Sequence, residues 1–356
     1  MKSPILRYAG LWLMFIALFV RFLFSLFPSW FEQFYFNGLF RYIRNFQDGF
    51  STWLPISGYA ILILFLLVWL IWRRPTPWKK SKSWLIFGRR LLNLMGGVVF
   101  LFLALWGYNY LDRGLGDRLQ LKAATDRAQL AQAYLDCMDR AMERRAAIPG
   151  IMHFETIEDW DQFPADTTIN SWLENELSGL GYPTDARIRV RHIRPDGVLR
   201  RMSISGIYNP FTGEANVDNA LGPLQKVFTI AHELAHGYGI TGEAEANFAA
   251  YLACLRSGNP MAAYAAEYVL WRHLASEVNK NYPQETVLAL AARIPEVLQK
   301  DREAIWKNYY RYKGYFPEIT NTMNDAYLKV QGVEAGADDY DLFVNLWFDW
   351  AAQTTE

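Results

Sequence analysis

The stretch TIAHELAHGYGITGEAEANF, residues 229–248, decides how the larger, C-terminal part of the chain is read. It holds two of the five histidines, four residues apart, with a glutamate beside the first. On an α-helix, residues four apart share a face, one turn above the other. His232 and His236 therefore offer two ring nitrogens to a single ion at about 2.0–2.1 Å. Glu233 points towards the same region but slightly aside, where a base acting on a water belongs. The neighbours Ile230, Ala231, Leu234 and Ala235 are small or apolar. Burying two histidines and a carboxylate among them without a partner is costly, which argues against a helix that carries them by chance.

A catalytic zinc ion needs a third protein ligand and an open position. Gly237 and Gly239 are poor helix residues and good terminators, so the first helix ends there and a second begins near Glu243. Glu243 is the first acid after the turn. Glu245 is the less favoured ligand, because about 100° per residue carries it almost to the opposite face. Asn247 lies one turn beyond Glu243, placed to bond the outer nitrogen of a histidine or to steady the Glu243 carboxylate. The expected set is thus His232, His236 and Glu243 as ligands of Zn2+, Glu233 as base, and Asn247 behind them.

Those parts suit amide hydrolysis, with zinc acidifying a water and Glu233 carrying its proton to the leaving amine. FTGEANV, residues 211–217, reads as an edge strand able to hold an extended substrate, which makes Glu214 a candidate substrate contact. An oxyanion donor is also expected, and Tyr208, Tyr238 and His192 are the candidates. His153, His192 and His273 lack ligand spacing and read as ordinary polar residues.

Upstream, ARIRVRHI and LRRMSISGIYNP read as two short strands joined by the turn RPDG. Residues 112–148 show helical periodicity, and helices dominate from Leu224 onward. The expected class is α+β, mostly helical, with a small sheet before the histidine helix. Cys137 and Cys254 are the only cysteines and fit either buried thiols or a disulfide.

The first third differs in kind. Residues 1–110 hold 12 Lys/Arg against 2 Asp/Glu, and the rest of the chain holds 24 against 34. The basic residues flank apolar runs and the remainder is acidic, so neither part resembles a nucleic-acid binder. Three runs, about 5–27, 54–72 and 91–111, read as membrane spans. Arg21 interrupts the first and snorkels towards the interface. Between the first two, residues 31–50 carry aromatics at helical spacing, as in an amphipathic helix lying on the membrane surface or packing against the outer domain. Arg73, Arg74, Lys79, Lys80, Lys82, Arg89 and Arg90 sit between the second and third runs with no acid among them. Short loops this basic stay in the cytoplasm, and Lys2 and Arg7 place the N-terminus there too. The expected organisation is a membrane domain, residues 1–111, multi-pass in the cell (inner) membrane, followed by an extracytoplasmic domain, residues 112–356.

LPISGYAIL (54–62), LWGYNY (105–110), YNPFTGEANVD (208–218), residues 229–254 and NDAYLKVQGVEAGADDY (324–340) together resemble a known family. It is the group of bacterial membrane-anchored proteins called domain of unknown function 3810, and the likeness covers nearly the whole chain. The resemblance implies a zincin-like metallopeptidase domain outside the membrane. The EAEAN segment also resembles the third-ligand region of HExxH peptidases with an ExxxD or ExxxN helix, which favours Glu243 with Asn247 behind it. The expected activity is a membrane-anchored zinc endopeptidase. Its partners are a peptide or protein substrate in the cell envelope and the lipid bilayer, not nucleic acid. The rival is a non-catalytic, zinc-stabilised envelope binding or structural protein, in which a fourth protein ligand would more often close the site.

Overall fold

The computed structural model describes residues 7–73, 82–122, 129–148, 163–312 and 342–354. His153, residues 74–81 of the basic loop and the block 324–340 lie outside them. The chain divides into two compact units. One is residues 1–112 with 209–214, and the other is residues 113–208 with 215–356.

In the N-terminal unit, helix α1 (Ala9–Leu26) packs along α4 (Lys82–Leu105). Gly10 and Asn93 let the two backbones touch. A Cβ on Gly10 would lie 1.9 Å from the Asn93 carbonyl oxygen, so no other residue fits there without moving a helix. Asn93 Oδ1 accepts from the Gly10 N–H at 3.0 Å and its amide donates to the Arg7 carbonyl at 2.7 Å. Small residues and an interhelical amide are what association in an apolar medium requires. Between these helices, residues 28–53 form a helical segment that is π-helical over Phe31–Leu39 and becomes α2 at Phe40–Trp53. One face, Phe31, Tyr35, Phe36, Phe40, Arg44, Gln47 and Ser51, is buried. The other presents Phe34, Tyr42, Phe46, Phe50 and Trp53 outward.

Helix α3 is described over Gly58–Arg73. Among the described residues, two helices, Ala9–Leu26 and Trp84–Leu105, are long and apolar enough to cross a bilayer. The number becomes three if Pro28–Trp53 and Gly58–Trp72, bent by 81° at their junction, count as one. The helix of the third run is described from Lys82 and gives way to a 3-10 turn at Gly107–Leu111, within the expected 91–111.

The C-terminal unit begins with a four-residue helix, α5 (Leu115–Arg118), followed by α6 (Leu130–Ala146). The continuous helix expected over 112–148 is interrupted after Arg118, where Gln120 adopts φ +56°, outside any right-handed helical conformation. Then come α7 (Asp166–Ser178), a three-stranded sheet of β1 (Arg189–Ile193), β2 (Gly206–Asn209) and β3 (Glu214–Asp218), and the paired helices α8 (Pro223–Gly237) and α9 (Glu243–Arg256). α10 (Pro260–Asn281), α11 (Gln284–Ala291), α12 (Glu296–Arg311) and α13 (Leu342–Thr354) complete it. The alanine-rich α9 is buried nearly all round, with α7, α8, α10 and α13 packed against it. Cys137 and Cys254 are separate buried thiols.

The sheet order is β1-β3-β2, so β3 is central, and all five of its residues are buried. Two expectations fail here. FTGEANV supplies the central strand, not an edge open to substrate. The β1 and β2 segments are not a hairpin, because β3 lies between them. The cause is Asp218 at the end of β3. Its carboxylate accepts main-chain N–H groups from Gly197 at 2.8 Å, Leu199 at 2.8 Å, Arg200 at 3.0 Å and Ala220 at 2.8 Å. A buried carboxylate with four donors holds residues 197–200 as a loop and 3-10 turn instead of extended strand.

Candidate metal centre

Helix α8 opens with Pro223 in its first turn, where a missing N–H costs nothing, and closes at Gly237. Gly239 turns the chain with φ +102°, and its N–H donates to the His236 carbonyl at 3.0 Å. Glu243 then starts α9, so helix, glycine turn and second helix follow as expected from the sequence.

This turn brings the donors together. The Nε2 atoms of His232 and His236 lie 3.1 Å apart. One Glu243 oxygen is 3.2 Å from His232 Nε2 and the other 3.8 Å from His236 Nε2. The three donors are within 4.8 Å of one another, and among the described residues they are the single such group of His, Cys, Asp or Glu. Two nitrogens bound tetrahedrally to one zinc ion lie about 3.3 Å apart, close to what these rings present.

The outer nitrogens are committed elsewhere. His232 Nδ1 meets Asn247 Oδ1 at 2.9 Å and His236 Nδ1 meets the Ile240 carbonyl at 2.8 Å. Both partners are acceptors, so each Nδ1 carries the hydrogen and each Nε2 lone pair faces inward. Two facing lone pairs and a carboxylate repel one another unless a cation or a proton sits among them. The protein groups alone answer with a proton. Burial opposes charge on His236, but hydrogen bonding to Glu243 outweighs it and lifts the imidazole to about 9. Burial pushes Glu243 up, yet the bonds from His232 and His236 prevail and hold its carboxyl well below the usual range. The donor set therefore fits a divalent ion such as zinc, which competes with that proton.

Glu233 is buried beside this group, and burial pushes its carboxyl up to about 7 against the opposing pull of the two histidines. The Tyr208 main chain hydrogen-bonds it. Gly206, on the same strand, comes so close that a Cβ there would lie 2.6 Å from Glu233 Oε1. Sequence reasoning missed Gly206. The available signal was a lone glycine inside a strand-like segment, which marks close backbone approach.

The remaining candidates are placed elsewhere. Glu245 Oε1 accepts the Leu115 N–H at 2.6 Å and the Gly116 N–H at 3.4 Å, so it caps α5 and is not a ligand. The Tyr238 hydroxyl donates to Asn170 and, at 3.2 Å, to Glu174, away from the role of oxyanion donor. His192 is tied to Asp166 at 3.0 Å on β1. Glu214 accepts the Gly58 N–H at 2.7 Å and the Thr212 hydroxyl at 2.8 Å within the N-terminal unit, so it is no substrate contact there. His273 stacks edge-on against Phe343. Tyr208 meets Glu233 through its main chain, with its ring largely buried.

No curated protein and no solved structure matches the chain. A family model described as "Protein of unknown function (DUF3810)" matches residues 35–348, a range that includes His232, Glu233, His236, Glu243 and Asn247. The chain belongs to the DUF3810 family.

Proposed function

We propose that the chain is a membrane-anchored zinc metallopeptidase with a zincin-like active site, hydrolysing peptide bonds outside the cytoplasm. The observation that carries this reading is the convergence of His232, His236 and Glu243 with the buried Glu233 alongside. His232, His236 and Glu243 would hold the ion. Zinc, when bound, supplies a Lewis acid that acidifies a water and polarises a carbonyl.

The chain's own groups do the rest. Asn247 and the Ile240 carbonyl keep the imidazoles in the tautomer that aims Nε2 inward. Glu233, with a carboxyl near neutrality, can accept a proton from water and return it to the departing amine, which an ordinary carboxylate does poorly. β2 is an edge strand of the sheet, and its Gly206 and Tyr208 adjoin Glu233. An extended peptide added along β2 would therefore run beside the base, which moves the substrate strand from β3 to β2. The basic loop flanking α4 favours a cytoplasmic N-terminus and an extracytoplasmic C-terminal unit.

The test is peptide hydrolysis and metal content of the purified full chain, wild type against Glu233→Gln. Loss of hydrolysis with metal retained is expected. Metal retained with hydrolysis absent from the wild type would favour a structural site and overturn the reading.

A further inference from the structure

A second site stands apart from the metal centre and does not depend on it. A cavity of about 270 Å³ lies among α10, α11 and α12, with Tyr134 of α6 at one side. That is room for about nine waters at about 30 Å³ each, or for one small organic molecule. Trp271 and Trp306 contribute aromatic walls, and Val287 and Leu290 contribute an aliphatic one. Helix α11, with the sequence QETVLALA, buries none of its eight residues although most are apolar. An apolar surface left open over a shaped cavity is what a ligand site looks like before it is filled.

The charge around the cavity has one sign. Arg272 and Arg302 line it, no acidic side chain does, and among the described residues neither arginine makes an ion pair. Behind them Arg200 is buried with its Nε and Nη2 lacking hydrogen-bond partners. Its guanidinium sits 5.2 Å over Tyr309, which packs against Trp306 at 5.6 Å; Asp218 supplies its counter-charge, and Arg272 opposes it more weakly. Two guanidinium groups on the wall of one cavity with no acid beside them, in the part of the chain where acids outnumber bases, favour a negative partner. Arginine is also the cation that both pairs with a carboxylate in two-point fashion and stacks on rings.

We infer that this cavity binds a small anion carried on an apolar body, of the class of aromatic carboxylates. The apolar body fills the space between Trp271, Trp306 and α11, and the acid group meets Arg272 and Arg302.

The test is calorimetric titration of the full chain in lipid nanodiscs, with empty nanodiscs as the blank. 2-Naphthoate is compared with 2-naphthamide, which has the same shape and no charge, and with inorganic phosphate, which has charge and no apolar body. Naphthoate is expected to bind at least tenfold more tightly than either. Arg272 is exposed and Arg302 half-buried, so Arg272→Gln with Arg302→Gln spares the core. That double variant should lose at least tenfold in naphthoate affinity and leave the amide unchanged. Ala275→Phe, which fills the cavity, should weaken both. No naphthoate binding, equal binding of acid and amide, equal binding of phosphate, or an unaffected double variant would each overturn the inference.

Discussion

Asp218 and Glu233 are both buried carboxylates of the C-terminal unit, yet their surroundings are opposite. Asp218 is saturated by four main-chain N–H groups and organises a loop. Glu233 sits against the glycine backbone of β2 and two histidines, where burial raises its proton affinity towards neutrality. A carboxylate given enough donors becomes a structural strut, whereas one with few of them in a buried setting holds its proton nearer neutrality, as the proposed base would need to. The same contrast divides two acids of one helix. Glu243 turns to the histidines, and Glu245, two residues on, caps α5.

The sharpest way to break the first contrast is to neutralise each carboxylate. Glu233→Gln should lower the proposed hydrolysis by about 10²–10⁴-fold, the range for a general acid–base group, with folding and metal content unchanged. Asp218→Asn should do the reverse. An amide nitrogen facing two main-chain N–H groups leaves them without an acceptor, at about 1–3 kcal/mol each. Its thermal unfolding midpoint should fall while metal binding persists. Were Asp218→Asn to abolish hydrolysis in a stably folded chain, the division of roles would be wrong.

Acidity gives a further test. Without an ion, His236 keeps its proton up to about 9 because of Glu243, and that proton must leave when metal binds. Metal affinity should therefore rise about tenfold per pH unit towards 9 and level off above it. About one proton should be released per ion at neutral pH, as measured by titration in buffers of different ionisation heat. Asn247→Ala removes the acceptor that orients His232 and should weaken metal binding by about 10–100-fold in competition with a chelating dye.

Much of this centre is legible in residues 229–248 because its geometry is local. Helical periodicity, two glycines and the spacing of Glu243 and Asn247 predict the convergence of His232, His236 and Glu243 and the Asn247 contact behind them without knowledge of the rest of the fold. The sheet is different. That β3 is central, that Gly206 reaches Glu233, and that Asp218 diverts the chain between β1 and β2 all depend on pairings across long stretches of sequence. Periodicity carries no information about such pairings. Glu245 shows the same limit, since its partner lies about 130 residues away at Leu115. In the N-terminal unit, composition identifies apolar helices, but not that the aromatic segment before α3 meets it at 81°.

The central claim is that His232, His236 and Glu243 form a metal centre and Glu245 stands outside it. The most direct measurement is metal stoichiometry of the purified full chain by elemental analysis, in the wild type, Glu243→Ala and Glu245→Ala. Close to one zinc per chain is expected in the wild type and in Glu245→Ala, and little or none in Glu243→Ala. A wild-type chain without stoichiometric metal, or a Glu243→Ala chain that keeps it, would contradict the account.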